Sequence, residues 1–92
     1  MTEAVTFRPL ARRDLLQQII YLSEQASDEV AERYYDAVMG TCNLLADQPL
    51  CGAAFAALQP KLDGLRRFPV TRPFEKYILF YKPTLLGVEI IA

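Results

Sequence analysis

The chain begins with a change of hydrophobic period. In residues 4–8, apolar Val5 and Phe7 alternate with polar Thr6 and Arg8, which predicts a short strand with one buried face. Pro9 ends this pattern and suits the first turn of a helix, where its missing N–H costs nothing.

A helical period follows from Leu10 onward. Leu15, Ile19 and Leu22 are spaced at i, i+4 and i+7, and Leu16 and Ile20 widen the apolar stripe. This spacing predicts an amphipathic helix of about four turns.

Ser27 marks the start of a second helix. A serine N-cap followed by Asp28 and Glu29 suits the positive end of the helix dipole, and Pro49 sets the far limit of the helix. The residues near one face are Val30, Tyr34, Ala37, Val38, Thr41, Leu44 and Leu45. Because the break at Ser27 is short, the two helices are expected to form an antiparallel hairpin.

The second half predicts short strands. Residues 49–52 read as a turn, and residues 53–58 are compatible with either a helical turn or an ordered loop. Strands are predicted at residues 65–70, 76–82 and 88–91, the last two joined by a hairpin turn at 83–87. Pro69 suits a sheet edge or a strand end.

The central strand is the most hydrophobic stretch of the chain. In residues 77–81 every side chain is aromatic, β-branched or leucine, which predicts a strand with both faces covered. The element order indicates a single α+β domain over residues 1–92, with β-α-α-β-β-β order and the helical hairpin packed on one face of a small antiparallel sheet.

Charge is balanced in total but uneven in position. The 92 residues carry a formal net charge of −1, which removes the simplest argument for a nucleic-acid-binding protein. Six of the ten cationic residues lie at positions 61–82, whereas five acidic residues lie at positions 24–36.

Several classes of protein are not favoured. No run approaches the ~20 apolar residues that cross a membrane, and the first residues do not resemble a signal peptide, so a cytoplasmic protein is expected. Cys42 and Cys51 are the only cysteines and histidine is absent, which gives no zinc set. We expect no metal and no cofactor, and both cysteines to be small buried side chains.

With these elements in place, the chain resembles the ParE/RelE superfamily of bacterial toxins, and its ParE-like branch in particular. The resemblance covers nearly the whole chain and rests on Leu10-Ala11-x-x-Asp14-Leu15, Ile19-x-x-Leu22, Leu45-x-x-x-Pro49-x-x-Gly52, Leu65-Arg66-Arg67-Phe68-Pro69-Val70, Tyr77-Ile78-Leu79-Phe80-Tyr81 and Gly87-Val88-Glu89-Ile90-Ile91.

The resemblance implies a RelE/ParE-like fold and the toxin of a type II toxin–antitoxin system, of the kind linked to plasmid stabilisation. Such a toxin is neutralised by its cognate antitoxin, here a ParD-like protein, in a hetero-oligomer. ParE-type toxins block DNA gyrase, whereas RelE-type toxins cut messenger RNA on the ribosome.

The residues favour the gyrase inhibitor over the nuclease. RNA cleavage needs a proton acceptor and cations for the phosphate, and no histidine is present. Ribonucleolytic relatives tend to carry a basic residue after the first tyrosine of the central strand, where this chain has Ile78. They and many ParE-like chains also continue past the last strand, so an attenuated toxin that only binds antitoxin stays an open alternative, as does the nuclease.

Two sets of contact residues follow. For the target the candidates are the basic residues Arg66, Arg67, Arg72, Lys76 and Lys82, each also an ordinary surface cation, with Arg66 and Arg67 on opposite faces of their strand. No catalytic residue and no sequence-specific nucleic-acid contact is expected. For the antitoxin, whose helix would lie along the helical hairpin while its extended tail reaches the sheet, the candidates are Leu10, Leu16, Ile20, Tyr34 and Val38.

Overall fold

The computed structural model describes residues 4–54 and 64–92. Within these ranges two helices and five strands follow one another along the chain: β1 Val5–Phe7, α1 Pro9–Gln25, α2 Asp28–Asp47, β2 Ala53–Ala54, β3 Arg66–Pro69, β4 Ile78–Pro83 and β5 Val88–Ile90. The predicted α+β fold is confirmed, and no helix in the described part is long and apolar enough to cross a membrane.

The five strands form one mixed sheet in the order β1-β5-β4-β3-β2. β3, β4 and β5 form the predicted antiparallel meander, but β1 runs parallel to β5 and pairs Thr6 with Glu89. The expectation of a purely antiparallel sheet is therefore wrong at this edge. The reason is long-range: the helical hairpin brings the start of the chain beside its last strand.

Gly87 permits that parallel pairing. A Cβ atom at this position would overlap the carbonyl oxygen of Ala4, which accepts a hydrogen bond of 2.8 Å from Val88 N. The glycine thus marks a point where two backbones approach too closely for any side chain.

The segment at residues 53–58 also differs from expectation. Ala53 and Ala54 pair with Arg67 and Arg66 as the short edge strand β2, which is neither a helical turn nor a loop. Residues 55–58 of that segment lie outside the described residues. Two alanines carry no strand signal of their own, so only the partner strand defines this element.

Both helices start where the local chemistry predicts. Pro9 occupies the first turn of α1, and the Ser27 side chain caps α2 by accepting a hydrogen bond of 3.1 Å from Val30 N. Asp28 and Glu29 lie in the first turn of α2, and Ser23 donates a hydrogen bond to the Asp28 carboxylate across the break. These contacts fix the helical hairpin.

Ser27→Ala is expected to lower the free energy of unfolding by about 1 kcal/mol, because it leaves Val30 N without its capping oxygen. Urea denaturation followed by circular dichroism measures the change. Ser27→Gly is the matched control and should cost only a few tenths of a kcal/mol, since glycine is itself a good N-cap. Equal losses for the two variants would contradict this role of the hydroxyl.

The core lies between the helical hairpin and one face of the sheet. Its fully buried side chains are Val38, Thr41, Cys42, Leu45, Val70, Tyr81, Val88 and Ile90. At one end the Tyr34 ring packs edge-on against Phe74 and Tyr77, with centroid distances of 5.4 and 5.0 Å. This cluster joins α2 to the connection between β3 and β4.

The two faces of β4 differ in exposure. Leu79 and Tyr81 are buried towards the helices, whereas Ile78 is 42% exposed on the other face. The prediction that both faces of this strand are covered is wrong at Ile78, because a continuous apolar run does not reveal how many layers the chain can supply. We call the side of the sheet that carries Ile78, Phe80 and Lys82 the open face.

Candidate functional site

A groove of about 300 Å³ lies where β1, α1 and α2 meet. Its lining is apolar apart from one cation and consists of Val5, Phe7, Arg12, Leu15, Leu16, Ile19, Tyr35 and Met39. An apolar groove of this kind can receive the hydrophobic side chains of an amphipathic segment.

Helical spacing builds the two long walls of the groove. On α1, Leu15 and Ile19 lie one turn apart and pack against the core, while Leu16 lines the groove at 54% exposure. On α2, Tyr35 and Met39 are likewise four residues apart and form the facing wall. Both walls therefore present apolar side chains at the period of a helix.

The predicted antitoxin contacts are only partly brought together. Leu16 lies in the groove, and Ile20, 56% exposed, lies one turn further along the same side of α1. Leu10 is exposed too, but six residues before Leu16 it points about 120° away around the helix.

The other two candidates, Tyr34 and Val38, are buried in the core and offer almost no side-chain surface to a partner. Sequence reasoning missed their neighbours Tyr35 and Met39, which lie one residue further along and hence about 100° around α2. The sequence does contain a signal for this wall of the groove, since Tyr35 and Met39 are themselves spaced at i, i+4.

The rim of the groove includes the outermost strand of the sheet. Ala4 O and Arg8 N bond to Val88 and Ile90 of β5, so the even-numbered residues of this stretch face β5. The backbone groups of Val5 and Phe7 therefore point to the open edge, beyond which the described residues place no further strand. Such an edge can pair with an extended peptide.

The predicted target contacts fall into different settings, and Arg66 has a structural one. Its Nη1 donates hydrogen bonds to Leu50 O at 3.1 Å and Gly52 O at 2.7 Å. The Tyr81 hydroxyl completes this clamp: it donates to Pro49 O at 2.7 Å and accepts from Gly52 N at 2.9 Å. The turn between α2 and β2 is thus held by side chains from β3 and β4.

The remaining four cations form two separate pairs. Arg67, opposite Phe80, and Lys82, opposite Glu89, lie on the open face. Arg72 and Lys76 lie exposed on the connection between β3 and β4, where Lys76 Nζ is 5.3 Å from the centre of the Tyr77 ring. The register confirms that Arg66 and Arg67 face opposite sides.

Titratable groups of the core hold their protons. Burial raises the pKa of Cys42 to about 11, and burial, with a smaller contribution from Tyr77, raises the pKa of Tyr34 to about 12. Burial also raises the pKa of Tyr81, against the opposing effect of its bond from Gly52 N. These thiol and phenol groups are therefore neutral near pH 7.

The cysteines and acidic side chains of the described ranges form no candidate metal site. Cys42 is buried as expected, but Cys51 is exposed because it lies in the turn after α2, so its predicted burial is wrong. No group of three acidic, cysteine or histidine side chains in residues 4–54 and 64–92 could hold a metal ion.

Comparison with known proteins identifies the family. A search of curated proteins finds no match. The family model described as the ParE toxin of type II toxin–antitoxin systems matches residues 5–92, which span every helix and strand described above. The chain therefore belongs to the ParE toxin family of type II toxin–antitoxin systems.

Proposed function

We propose that this toxin inhibits DNA gyrase by binding it, and that it does not cleave RNA. The observation that carries the proposal is Ile78, which is exposed on the open face at the position where ribonucleolytic relatives tend to carry a cation. An aliphatic side chain there suits contact with a protein and offers nothing to a phosphate.

The state of the two buried tyrosines supports the same conclusion. General-base removal of a 2′-hydroxyl proton needs a group with a pKa near the working pH and within reach of the substrate. Tyr81 is buried, has a raised pKa and uses its hydroxyl in the turn clamp, and Tyr34 is buried with a pKa of about 12. Neither phenol fits that role.

The cations that would meet an acidic protein target are Arg67, Arg72, Lys76 and Lys82. Arg72 and Lys76 are the best placed, since both are exposed on one short connection. Arg66 is left out because its guanidinium already binds two backbone carbonyls, so that its replacement would act first on stability.

The groove is the proposed site of the antitoxin. An amphipathic antitoxin helix would place apolar side chains between Leu16 on one wall and Tyr35 and Met39 on the other. Its extended tail would then pair with the open edge of β1, where the backbone groups of Val5 and Phe7 point outward. Neutralisation would follow from this hetero-oligomer with a ParD-like protein.

Two assays on the purified toxin test the target: supercoiling by DNA gyrase and cleavage of messenger RNA on programmed ribosomes. We expect gyrase inhibition with intact messenger RNA. Messenger-RNA cleavage would replace the proposal with the RelE-type activity. No effect in either assay, together with tight antitoxin binding, would replace it with an attenuated toxin that only binds antitoxin.

Variants can test the antitoxin groove separately from the surface proposed to contact gyrase. Tyr35→Glu is expected to weaken antitoxin binding by about 30-fold or more, because it places a carboxylate in an apolar groove at the centre of the interface. Tyr21→Glu is the matched control: this exposed tyrosine of α1 does not line the groove, so its replacement should leave binding unchanged. Equal effects of the two variants in calorimetric titration with antitoxin would contradict the groove.

The double variant Arg72→Glu/Lys76→Glu should show the opposite pattern. We expect it to lose at least about tenfold in gyrase inhibition, since charge reversal turns attraction to an acidic surface into repulsion. Its antitoxin binding should stay intact because neither residue borders the groove. Undiminished gyrase inhibition would remove this connection from the target surface.

A further inference from the structure

A ridge of four side chains runs along the outer side of α1: Arg12, Leu16, Ile20 and Glu24, each four residues from the next. Residues at this spacing form one of the natural surface rows of a helix. All four are exposed, and the two apolar residues at the centre are a little over half exposed. The row reads cation, apolar, apolar, anion.

That order is self-complementary. A two-fold axis passing between Leu16 and Ile20 maps the row onto itself in reverse, so that each apolar residue meets the other and each charge meets its opposite. We propose that two copies of this chain associate through α1 in antiparallel orientation about such an axis. The partner of this helix face is thus a second copy of the same chain.

Charge complementarity selects this arrangement. Arg12 of one copy would pair with Glu24 of the partner subunit, and the same pair would form again on the far side of the axis. With a rise of 1.5 Å per residue, each pair lies about 9 Å from the axis along the helix. Within the described residues neither Arg12 nor Glu24 forms an ion pair in the single chain, so both charges are available.

Packing geometry agrees with the charges. Rows of side chains four residues apart interdigitate in the commonest class of helix contact, which crosses at about 50°. Each copy offers a groove beside its ridge, lined by Leu16 on one wall and by Tyr35 and Met39 on the other. Leu16 and Ile20 of each copy can therefore enter the groove of the other copy, so the two-fold axis forms the same contact twice.

Other exposed apolar positions lack this second feature. Leu10 and Tyr21 lie on another flank of α1, where neither row at four-residue spacing is self-complementary: the row through Tyr21 has Arg13 but no anion, and the row through Leu10 has Asp14 but no cation. Leu85 and Leu86 lie at the tip of the β4–β5 hairpin, in a run of uncharged residues. Among the described residues, only the ridge combines apolar exposure with charges of both signs in reversible order.

Leu16 belongs both to the ridge and to the groove. Self-association would therefore cover the surface proposed for the antitoxin, and the two associations would exclude each other. This competition rests on the proposed antitoxin site, whereas the pairing of two copies does not. The test accordingly uses the toxin alone.

Sedimentation equilibrium of the full chain, in the absence of antitoxin, measures the pairing. We expect dimers with a dissociation constant on the order of 10 µM, the range of a small interface, and weaker association in high salt because exposed ion pairs are screened. Ile20→Lys should abolish dimers, and circular dichroism should show an unchanged fold because this side chain is exposed. Leu10→Lys is the control and should leave dimers intact.

Charge exchange gives the decisive comparison. Glu24→Arg should weaken the dimer at least about tenfold by bringing two arginines together, and Arg12→Glu should do the same with two carboxylates. The double variant Arg12→Glu/Glu24→Arg restores opposite charges and should restore the dimer. A monomer at about 100 µM, a dimer indifferent to Ile20→Lys, or a double variant that stays monomeric would each overturn the proposal.

Discussion

Replacing Gly52 with alanine is expected to lower the free energy of unfolding by about 2–4 kcal/mol. A Cβ atom there would overlap the Tyr81 hydroxyl, lie 2.7 Å from Tyr81 Cε1 and 2.8 Å from Arg67 O. Tyr81 cannot swing aside, because it is fully buried and its hydroxyl is bonded to Pro49 O. The methyl group would therefore overpack the space around Tyr81 and also displace the buried hydrogen bond from Gly52 N to the Tyr81 hydroxyl.

Urea denaturation measures the loss, and Gly40→Ala is the matched control. Gly40 lies inside α2, and an added methyl group there would meet no atom within 4 Å apart from the adjoining backbone of its own helix and its chain neighbours, so alanine should stabilise the chain by about 0.5–1 kcal/mol. The same substitution thus has opposite signs at two glycines. Unchanged stability of Gly52→Ala would mean that the turn after α2 yields more easily than its hydrogen bonds indicate.

Tyr81→Phe separates the clash from the hydrogen bonds. Alone it should cost about 1–3 kcal/mol, because Gly52 N and Pro49 O lose their partner. Combined with Gly52→Ala it removes the atom that the new methyl group would overlap, so the loss in the double variant should be smaller than the sum of the two single losses. Strict additivity would show that the hydroxyl and the glycine act independently.

The hydrogen bonds of Tyr81 to Pro49 and Gly52 also explain why the Pro49-x-x-Gly52 motif contains a glycine. Pro49-x-x-Gly52 follows α2 at a fixed distance, yet the atoms that require the glycine belong to Tyr81, 29 residues away. A sequence shows that a glycine stands in a turn, but not which buried hydroxyl approaches its backbone. Gly87 is similar, since its constraint comes from Ala4 across the parallel pairing of β1 and β5.

The features that were predictable are local. Pro9, Ser27 and Pro49 set the limits of both helices through proline geometry and capping, which act within a few residues. The strands predicted at 65–70 and 88–91 agree with β3 and β5 to within one residue at each end, because their hydrophobic runs and flanking turns are also local. Parallel pairing, the short strand β2 and the open face of β4 depend on distant partners, and each differed from expectation.

The candidate site shows the same division. The wide apolar stripe of α1 predicts Leu16 and Ile20 as antitoxin contacts, and both side chains are exposed in the structure. Helical spacing alone does not fix which side of α2 faces the sheet, so the predicted contact Tyr34 lies in the core, whereas Tyr35, one residue further on, lines the groove. Arg66 appeared to be a free cation because its acceptors are backbone carbonyls, which no sequence pattern marks.

The second large effect concerns alkaline pH, where the folded chain is expected to lose stability progressively from about pH 9 to pH 12. Burial raises the pKa of Cys42 from 9.0 to about 11 and that of Tyr34 from 10.0 to about 12. In each window the unfolded chain has released a proton that the folded chain still holds, so rising pH favours unfolding. The stabilisation from each buried group is complete below the pKa that the group has in the unfolded chain. It is lost as the pH rises through the pKa that the group has in the folded chain.

The size of the effect follows from the shifts. Since one pKa unit corresponds to about 1.4 kcal/mol, each group contributes up to about 3 kcal/mol across its window. That is a large part of the roughly 5–15 kcal/mol typical of a folded domain. Urea denaturation at about pH 8, 9, 10 and 11 would therefore show a midpoint that falls with each step above pH 9.

Tyr34→Phe isolates one of the buried groups with a raised pKa, which are Cys42, Tyr34 and Tyr81. The Tyr34 hydroxyl makes no hydrogen bond within the described residues, so the variant should match the parent chain at about pH 8 and keep the ring packing against Phe74 and Tyr77. Above about pH 10 it should be the more stable protein, because its buried ring has no proton to lose. Cys42→Ala should instead be weaker at about pH 8, since it leaves a cavity, but should lose less between about pH 9 and 11. Parallel losses in Tyr34→Phe and the parent chain at the alkaline end would show that the transition originates elsewhere.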